Sequence, residues 1–146
     1  MNTVNQMKCD TPINEYICVD GACNNPYSGT GEYKIVYMPT GKILYQSEKY
    51  EDTTNNLMEF LALTHALTLC KQQSLTIPVF TDSTTAMAWV KKKRANTSQE
   101  VTSKNKRLFK HLFVVEKWLS ENKFSTQVLK WETKHWGEIP ADFGRK

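Results

Sequence analysis

The sequence lacks a long apolar segment, a paired-cysteine motif and any internal repeat. Its apolar runs stay well below the roughly 18 residues of a membrane helix, and its first residues lack the charged-then-apolar profile of a signal peptide. The four cysteines form no CxxC pair and the three histidines do not cluster, so neither a zinc site nor a disulfide framework is indicated. We therefore expect reduced thiols and a cytoplasmic protein with no membrane partner.

The composition is that of a globular protein. Hydrophobic residues make up 40% of the chain and charged residues 23%, which places it outside the range of disordered sequences. A length of 146 residues suits one core. We expect a single domain over residues 1–146, with about residues 1–13 as a loose lead-in, and a monomer.

Positive charge is concentrated in one part of the chain. Residues 91–117 hold nine basic and two acidic side chains, although the whole chain carries a net charge of only +4. Such a block is either a solvated helix face or a contact surface for a phosphate backbone, and the composition leaves both readings open.

Hydrophobic periodicity and turn signals predict a layered α/β fold. Predicted strands lie at 16–19, 32–38, 42–50, 77–81 and 126–132; predicted helices lie at 56–72, 84–92 and 106–122, with a last helical turn from 139. Pro39-Thr40-Gly41 marks a hairpin, which makes the first three strands antiparallel. Strand-helix alternation then favours parallel pairing. The result is a mixed five-stranded sheet with helices on both faces.

Three carboxylates occupy positions that favour a shared site. Asp20 and Asp82 each follow an apolar strand, so both can reach the carboxyl edge of the sheet, where such folds place their sites. Glu59 lies among leucines of the first helix, where an unpaired charge is costly. Singly, each residue suits an ordinary turn, cap or surface role. Together, converging carboxylates require a hard cation such as Mg²⁺, which is typical of phosphoryl-transfer enzymes.

Four ordered blocks resemble type 1 ribonuclease H. They are Val19-Asp20-Gly21-Ala22-Cys23-Asn24-Asn25-Pro26, Thr53-Thr54-Asn55-Asn56-Leu57-Met58-Glu59, Phe80-Thr81-Asp82-Ser83 and Ile139-Pro140-Ala141-Asp142. The resemblance implies the ribonuclease H-like fold. It also implies an endonuclease that cuts the RNA strand of RNA/DNA hybrids, with Asp20, Glu59, Asp82 and Asp142 as catalytic and metal-binding residues.

The resemblance further implies a two-metal mechanism with 5′-phosphate and 3′-hydroxyl products. Asp20 then bridges two Mg²⁺ ions, Asp142 helps to hold one, and Glu59 with Asp82 holds the other, with Mn²⁺ as the alternative metal. The expected substrate contacts come from asparagine and threonine side chains and from a lysine run: Asn25, Thr54, Asn55, Asn56, Lys91, Lys92 and Lys93.

The sequence departs from the family pattern in three places. His135 resembles the family's catalytic histidine but is followed closely by Asp142, so either a proton shuttle or a structural imidazole beside Trp131 or Trp136 fits it. The run of 91–94 leads directly into a loop, which leaves no room for an extra basic helix. The chain ends four residues after Asp142, where relatives continue a helix, and we expect a shortened C-terminal helix.

Two other functions use the same fold. One is a hybrid-binding module that has lost turnover, against which the four carboxylates argue. The other is a resolvase-like nuclease acting on DNA, because carboxylate sites on this sheet serve several polynucleotide reactions. The Thr-Asn-Asn block before Glu59 favours hybrids over DNA duplexes.

Overall fold

The computed structural model describes residues 13–25 and 28–143, so the expected lead-in lies almost wholly outside the described residues. Within them the chain forms six strands and four helices. The strands are β1 (Tyr16–Cys23), β2 (Gly29–Met38), β3 (Lys42–Gln46), β4 (Tyr50–Thr53), β5 (Val79–Thr81) and β6 (Val128–Lys130); the helices are α1 (Asn55–Gln72), α2 (Thr84–Lys92), α3 (Lys106–Glu121) and α4 (Thr133–Trp136). Among the described residues, none of the helices has the length and apolar character needed to span a membrane.

The strands form a mixed sheet in the order β3-β2-β1-β5-β6, and β4 pairs separately with β2. The β1–β2 and β2–β3 pairs are antiparallel, whereas β1–β5 and β5–β6 are parallel. The predicted fold class, with antiparallel strands first and parallel strands after them, is therefore confirmed. β4 begins at the end of the predicted strand 42–50 and continues to Thr53, an extension that the sequence did not indicate.

The first strand is longer than predicted. The periodicity ended it at Asp20, but β1 continues through Gly21 to Cys23 and stays paired with β2 as far as Cys23 opposite Gly31. An Asp-Gly pair favours a turn only when the chain is free to reverse. Here the ladder with β2 keeps the pair extended, so Asp20 lies inside a strand rather than at its end.

The predicted strand at 42–50 is divided in two by Ser47. Its backbone N–H donates to the Tyr33 carbonyl at 2.8 Å, and its hydroxyl accepts from the Tyr33 N–H at 2.9 Å. The side chain thus replaces a backbone acceptor of the ladder, and the chain leaves the β3 register before it returns to β2 as β4.

The C-terminal segment also differs from its prediction. The one-turn helix α4 precedes the expected position, and at Ile139 the chain makes a turn in which the Asp142 N–H donates to the Ile139 carbonyl at 2.8 Å. The predicted helical turn at 139 is wrong. The Trp131 indole N–H donates to the Gly137 carbonyl at 2.8 Å and fixes the chain reversal that follows α4.

Helix α1 forms the centre of the larger core. The Thr54 hydroxyl caps its N-terminus by accepting from the Leu57 N–H at 3.1 Å. Apolar residues surround the helix on nearly every side, which is the pattern of a helix enclosed by protein. The sheet covers one side of α1, while α2 and α3 pack against the others.

A smaller core fills the opposite face of the sheet. Trp131 and Phe80 pack edge to face there at 5.6 Å, and Trp136 of α4 covers them together with Ile139 and Ala141. The expectation of helices on both faces is therefore confirmed, although this face carries only α4. Cys18, Cys23 and Cys70 are buried, and among the described residues they form no disulfide. Their reduced state stays a prediction.

Candidate active site

The β1–β5 register brings Asp20 and Asp82 together. Ile17 lies opposite Val79 and Cys18 opposite Phe80, and the same register continued by two residues sets Asp20 beside Asp82. Asp82 follows the last residue of β5 and is half-buried, while Asp20 is completely buried. Although β1 itself continues to Cys23 beside β2, its pairing with β5 ends before Asp20, so both side chains lie where this parallel pairing ends.

Gly21 allows Glu59 to reach the same place. The Gly21 N–H donates to Glu59 Oε1 at 3.1 Å, which fixes the carboxylate against β1. A Cβ atom at position 21 would lie 2.5 Å from the backbone carbon of Met58 and 2.6 Å from the nitrogen of Glu59. Only glycine permits this approach between β1 and α1, so the residue after Asp20 determines where Glu59 lies.

The three carboxylates form one cluster. Asp20, Glu59 and Asp82 each offer an oxygen, and these oxygens lie within 4.8 Å of one another. Asp20 and Glu59 are 0% and 6% exposed, so water screens their mutual repulsion poorly. A donor set made only of carboxylate oxygens fits a hard divalent cation such as Mg²⁺. The residues present therefore suit the metal that the sequence predicts.

Asp142 lies outside this cluster. Among the described residues, the group within 4.8 Å consists of the three acids above. The neighbours of Asp142 nevertheless contact the strands that carry Asp20. Burial raises the pKa of the Cys18 thiol to about 12. A hydrogen bond with the Ala141 backbone lowers this pKa and offsets part of the rise. The Lys34 ammonium lies 4.7 Å from the centre of the Phe143 ring, and Lys34 is opposite Asp20 in the ladder.

A cleft of about 360 Å³ opens at the N-terminus of α1. Three of the expected substrate-contact residues line it, together with Trp89 and a stretch of the loop after α2; the full lining is Thr54, Asn55, Asn56, Trp89, Asn96, Thr97, Ser98 and Gln99. Trp89 also packs edge to face on Phe60 at 5.8 Å, so its ring belongs partly to the core. The cleft is polar and one helical turn away from Glu59.

One polar atom at this cleft lacks a partner. Among the described residues, Asn55 Oδ1 is buried and has no hydrogen-bond donor within reach. A buried acceptor without a donor costs free energy, which a ligand can recover by supplying an N–H or O–H group. The Asn55 side chain is therefore suited to recognise a hydrogen-bond donor.

Comparison with known proteins identifies the family of the chain. The ribonuclease H family profile matches residues 13–138. The chain belongs to the ribonuclease H family. The match ends before Asp142, so that residue is not part of the matched segment. The expectation of a ribonuclease H enzyme is thereby confirmed.

Individual relatives support the same assignment. The chain is 36% identical over 110 residues to a ribonuclease H of Neorickettsia sennetsu. The aligned segment covers 68% of this chain and 72% of the relative. It is 39% identical over 83 residues to a ribonuclease H of Desulforamulus reducens, covering 53% and 50%. The structure of LC11-RNase H1, isolated from compost by a metagenomic approach, matches with a TM-score of 0.52 at 19% identity, over 85% of this chain and 89% of that one. At 19% identity, the similarity to LC11-RNase H1 shows a shared fold and no more.

His135 of this ribonuclease H is exposed on α4. Its backbone N–H donates to the Glu132 carbonyl at 2.9 Å. Among the described residues its ring makes no aromatic contact, whereas Trp131 and Trp136 pack on each other at 5.0 Å. The reading as an imidazole stacked on these tryptophans therefore has no support here. The other two histidines do serve packing, because His65 and His111 bond to buried tyrosines.

The remaining expected contacts lie on the surface. Lys91, Lys92 and Lys93 are exposed at the C-terminus of α2, and Asn25 is exposed in the bend after β1. The lysines also suit the negative end of the helix dipole, so both readings of the basic block still apply. Residues 93–105 are all described and contain no helix, in agreement with the expected lack of an extra basic helix.

Sequence reasoning missed the cleft residues at 96–99. Their stretch is polar and aperiodic, and the Asn96-Thr97-Ser98 triplet resembles only a glycosylation acceptor pattern. Nothing local marks them as neighbours of Thr54 and Asn55, because the loop reaches the cleft through tertiary hydrogen bonds. Only a signal that links positions about 40 residues apart in the sequence could have predicted that this loop lies beside Thr54 and Asn55.

Proposed function

We propose that the enzyme hydrolyses the RNA strand of RNA/DNA hybrids by two-metal-ion catalysis and leaves 5′-phosphate and 3′-hydroxyl ends. The observation that carries the proposal is the approach of Asp20, Glu59 and Asp82 to within 4.8 Å, one turn of α1 from an asparagine-lined cleft. A reacting phosphodiester is anionic, and these side chains are anionic too. Cations would therefore neutralise the carboxylates and so allow the phosphodiester to bind.

Four carboxylates would hold the metal. Asp20 would serve both Mg²⁺ ions, Glu59 and Asp82 would complete the ligands of one, and Asp142 would contribute to the other; Mn²⁺ is the alternative. When bound, such a pair activates the attacking water and stabilises the leaving oxygen. The contacts of its chain neighbours support its inclusion: the Ala141 backbone bonds to the Cys18 thiol on β1, and the Phe143 ring lies beside Lys34, which is opposite Asp20 in the ladder.

The protein's own contribution is placement. The paired strands fix Asp20 and Asp82, while the Gly21 N–H holds Glu59 Oε1. Preorganised groups of this kind spare the reorganisation that free ligands would need at the moment of reaction. No side chain has to form a bond to phosphorus. His135 is exposed, and in our proposal it relays a proton between the reacting phosphate and water.

Substrate selection depends on the 2′-hydroxyl. Asn55 Oδ1 is a buried acceptor at the cleft, and the 2′-hydroxyl is the donor that RNA has and DNA lacks. Thr54, Asn56 and the exposed Asn25 extend this polar surface. The lysines 91–93 contact phosphates of the bound hybrid, so binding weakens as salt is raised.

The decisive experiment compares cleavage of three end-labelled duplexes. An RNA/DNA hybrid and the matched RNA/RNA and DNA/DNA duplexes are incubated with the protein in Mg²⁺ or in chelator. We expect cutting of the RNA strand of the hybrid alone, and only with metal. Asp82→Asn should abolish it because the cluster loses a ligand, whereas Glu121→Gln, at the exposed end of α3, should retain it.

Other outcomes would point to the two alternative functions. Metal-independent binding of the hybrid without cutting would indicate a binding module, and cutting of the DNA duplex would indicate a resolvase-like nuclease. Sedimentation of the protein at assay concentration tests the predicted monomer. Its predicted cytoplasmic location stays a prediction.

A further inference from the structure

Asp52 has an unusual backbone for a residue in a strand. It lies in β4, two residues before Thr54, with φ of 56°. This left-handed conformation is unfavourable for a residue with a side chain, although aspartate and asparagine tolerate it better than most. Such a conformation persists where the surrounding contacts enforce it, and Asp52 has several.

Both ends of the residue accept hydrogen bonds from other segments. Its carboxylate accepts from the Ser28 hydroxyl at 3.0 Å and from the Thr102 hydroxyl at 2.7 Å. Its backbone carbonyl accepts from the side-chain amides of Gln99 at 2.8 Å and Asn105 at 3.1 Å. The hydroxyl bonds from Thr102 and Ser28 hold the pKa of this carboxyl below its usual value.

These bonds join three segments, two of which line the cleft. Gln99 lines the cleft, and its loop has neither helix nor strand from 93 to 105. Ser28 belongs to the β1–β2 connection, which also carries Asn25, while Thr54 and Asn55 follow Asp52 along the chain. Buried Asn105 adds to the same network by donating to the Glu100 carbonyl at 2.9 Å. Asp52 is thus hydrogen-bonded to both the connection and the loop, and it lies just before the start of α1 in the chain.

We propose that Asp52 is a positioning residue that holds the 93–105 loop and Ser28 in place for substrate binding. The inference rests on the proposed function, because it assigns the cleft to the hybrid. The effect that this role predicts for loss of Asp52 is opposite to the effect expected from its charge. A carboxylate near a polyanion repels it, so removal of the charge alone should strengthen binding.

The positioning role predicts that Asp52→Asn weakens substrate binding, whereas the loss of charge alone predicts stronger binding. This variant therefore distinguishes the two effects. Asparagine keeps the shape and tolerates the left-handed backbone, but it removes the charge that strengthens both hydroxyl bonds. Steady-state cleavage of the hybrid should show KM raised about three- to ten-fold, with kcat changed by less than about two-fold. The control is Glu51→Gln at the exposed neighbouring position, which removes the same charge and should leave KM unchanged or lower.

A second variant examines the contact itself. Thr102→Val removes the hydroxyl that lies 2.7 Å from the Asp52 carboxylate and should raise KM in the same direction. The double variant should raise KM by less than the product of the two single effects, because both changes weaken the bond between Asp52 and Thr102. Urea unfolding of each variant separates this effect from a general loss of stability.

Hydrogen exchange provides a readout that does not depend on catalysis. Backbone amides of residues 96–105 should exchange faster in Asp52→Asn than in the parent protein or in Glu51→Gln. A KM equal to that of Glu51→Gln, or unchanged exchange in this loop, would overturn the proposal. If the parent protein cuts no hybrid, the proposed function fails and the exchange comparison alone decides the role of Asp52.

Discussion

Replacing Gly21 by alanine introduces one methyl group where β1 and α1 touch. The added carbon would lie 2.5 Å from the Met58 backbone carbon and 2.6 Å from the Glu59 nitrogen. Both contacts are with backbone atoms, so no side-chain rotation relieves them. The helix that carries Glu59 has to move away from the strand that carries Asp20.

The size of that movement follows from the contact distances. An ordinary contact begins near 3.4 Å, so α1 must shift by roughly 0.9 Å at this point. Overpacking of this kind costs about 1–3 kcal/mol of unfolding free energy. A displacement of about 1 Å at a catalytic group lowers the rate by about 100-fold. Gly21→Ala should therefore lose about 100-fold in kcat while it stays folded, because a loss of about 1–3 kcal/mol is smaller than the roughly 5–15 kcal/mol by which a domain is stable.

The assay pairs urea unfolding, followed by tryptophan fluorescence, with kcat on the hybrid. Gly41→Ala is the control because Gly41 has φ of +80° in the hairpin, and a methyl group added there would have no atom within 4 Å. It should lose about 1–2 kcal/mol through backbone strain and retain its kcat. If Gly21→Ala cleaves as fast as the parent protein, the contact between β1 and α1 does not set the position of Glu59.

The remaining predictions concern metal and pH. In chelator, Asp82→Asn should be more stable than the parent protein by about 1 kcal/mol, because one repelling carboxylate is gone; Mg²⁺ should stabilise the parent in urea unfolding but not the variant. Equal metal stabilisation of both proteins would exclude Asp82 as a ligand. Burial lowers the pKa of His65 and of His111 from 6.5, so the unfolded state binds more protons just below that pH. Unfolding free energy should therefore fall as pH is lowered through 6.5, and His65→Gln should show a shallower fall; an unchanged slope would contradict this reading.

The helices were the most predictable part of the fold. Their starts depend on local chemistry: Thr54 caps α1 and the Ser83 hydroxyl caps α2 by accepting from the Ala86 N–H at 3.0 Å. Apolar residues at helical spacing then carried the predictions for α1 and α3 to within a residue or two of the observed ends. Local signals were sufficient because the interactions that define these elements are themselves local.

The strand boundaries and the cleft depended on distant partners. Gly21 looked like a turn residue, yet its role is to admit α1 against β1. Ser47 interrupts a strand only because Tyr33 lies opposite it. The sequence identified the three clustered acids through ordered blocks, whereas the loop at 96–99 gave no local sign of reaching Asn55.

The first two turns of α1 set a fixed distance between the cleft and the carboxylate cluster. Asn55 at the cleft and Glu59 at the carboxylate cluster are four residues apart on one helix, which corresponds to about 6 Å along its axis. Because that helix is enclosed by the core, neither residue can shift without the other. In the proposed complex, the distance between the recognised ribose and the phosphate that is cut is therefore a constant of the fold, and every core substitution that tilts α1 would displace both together.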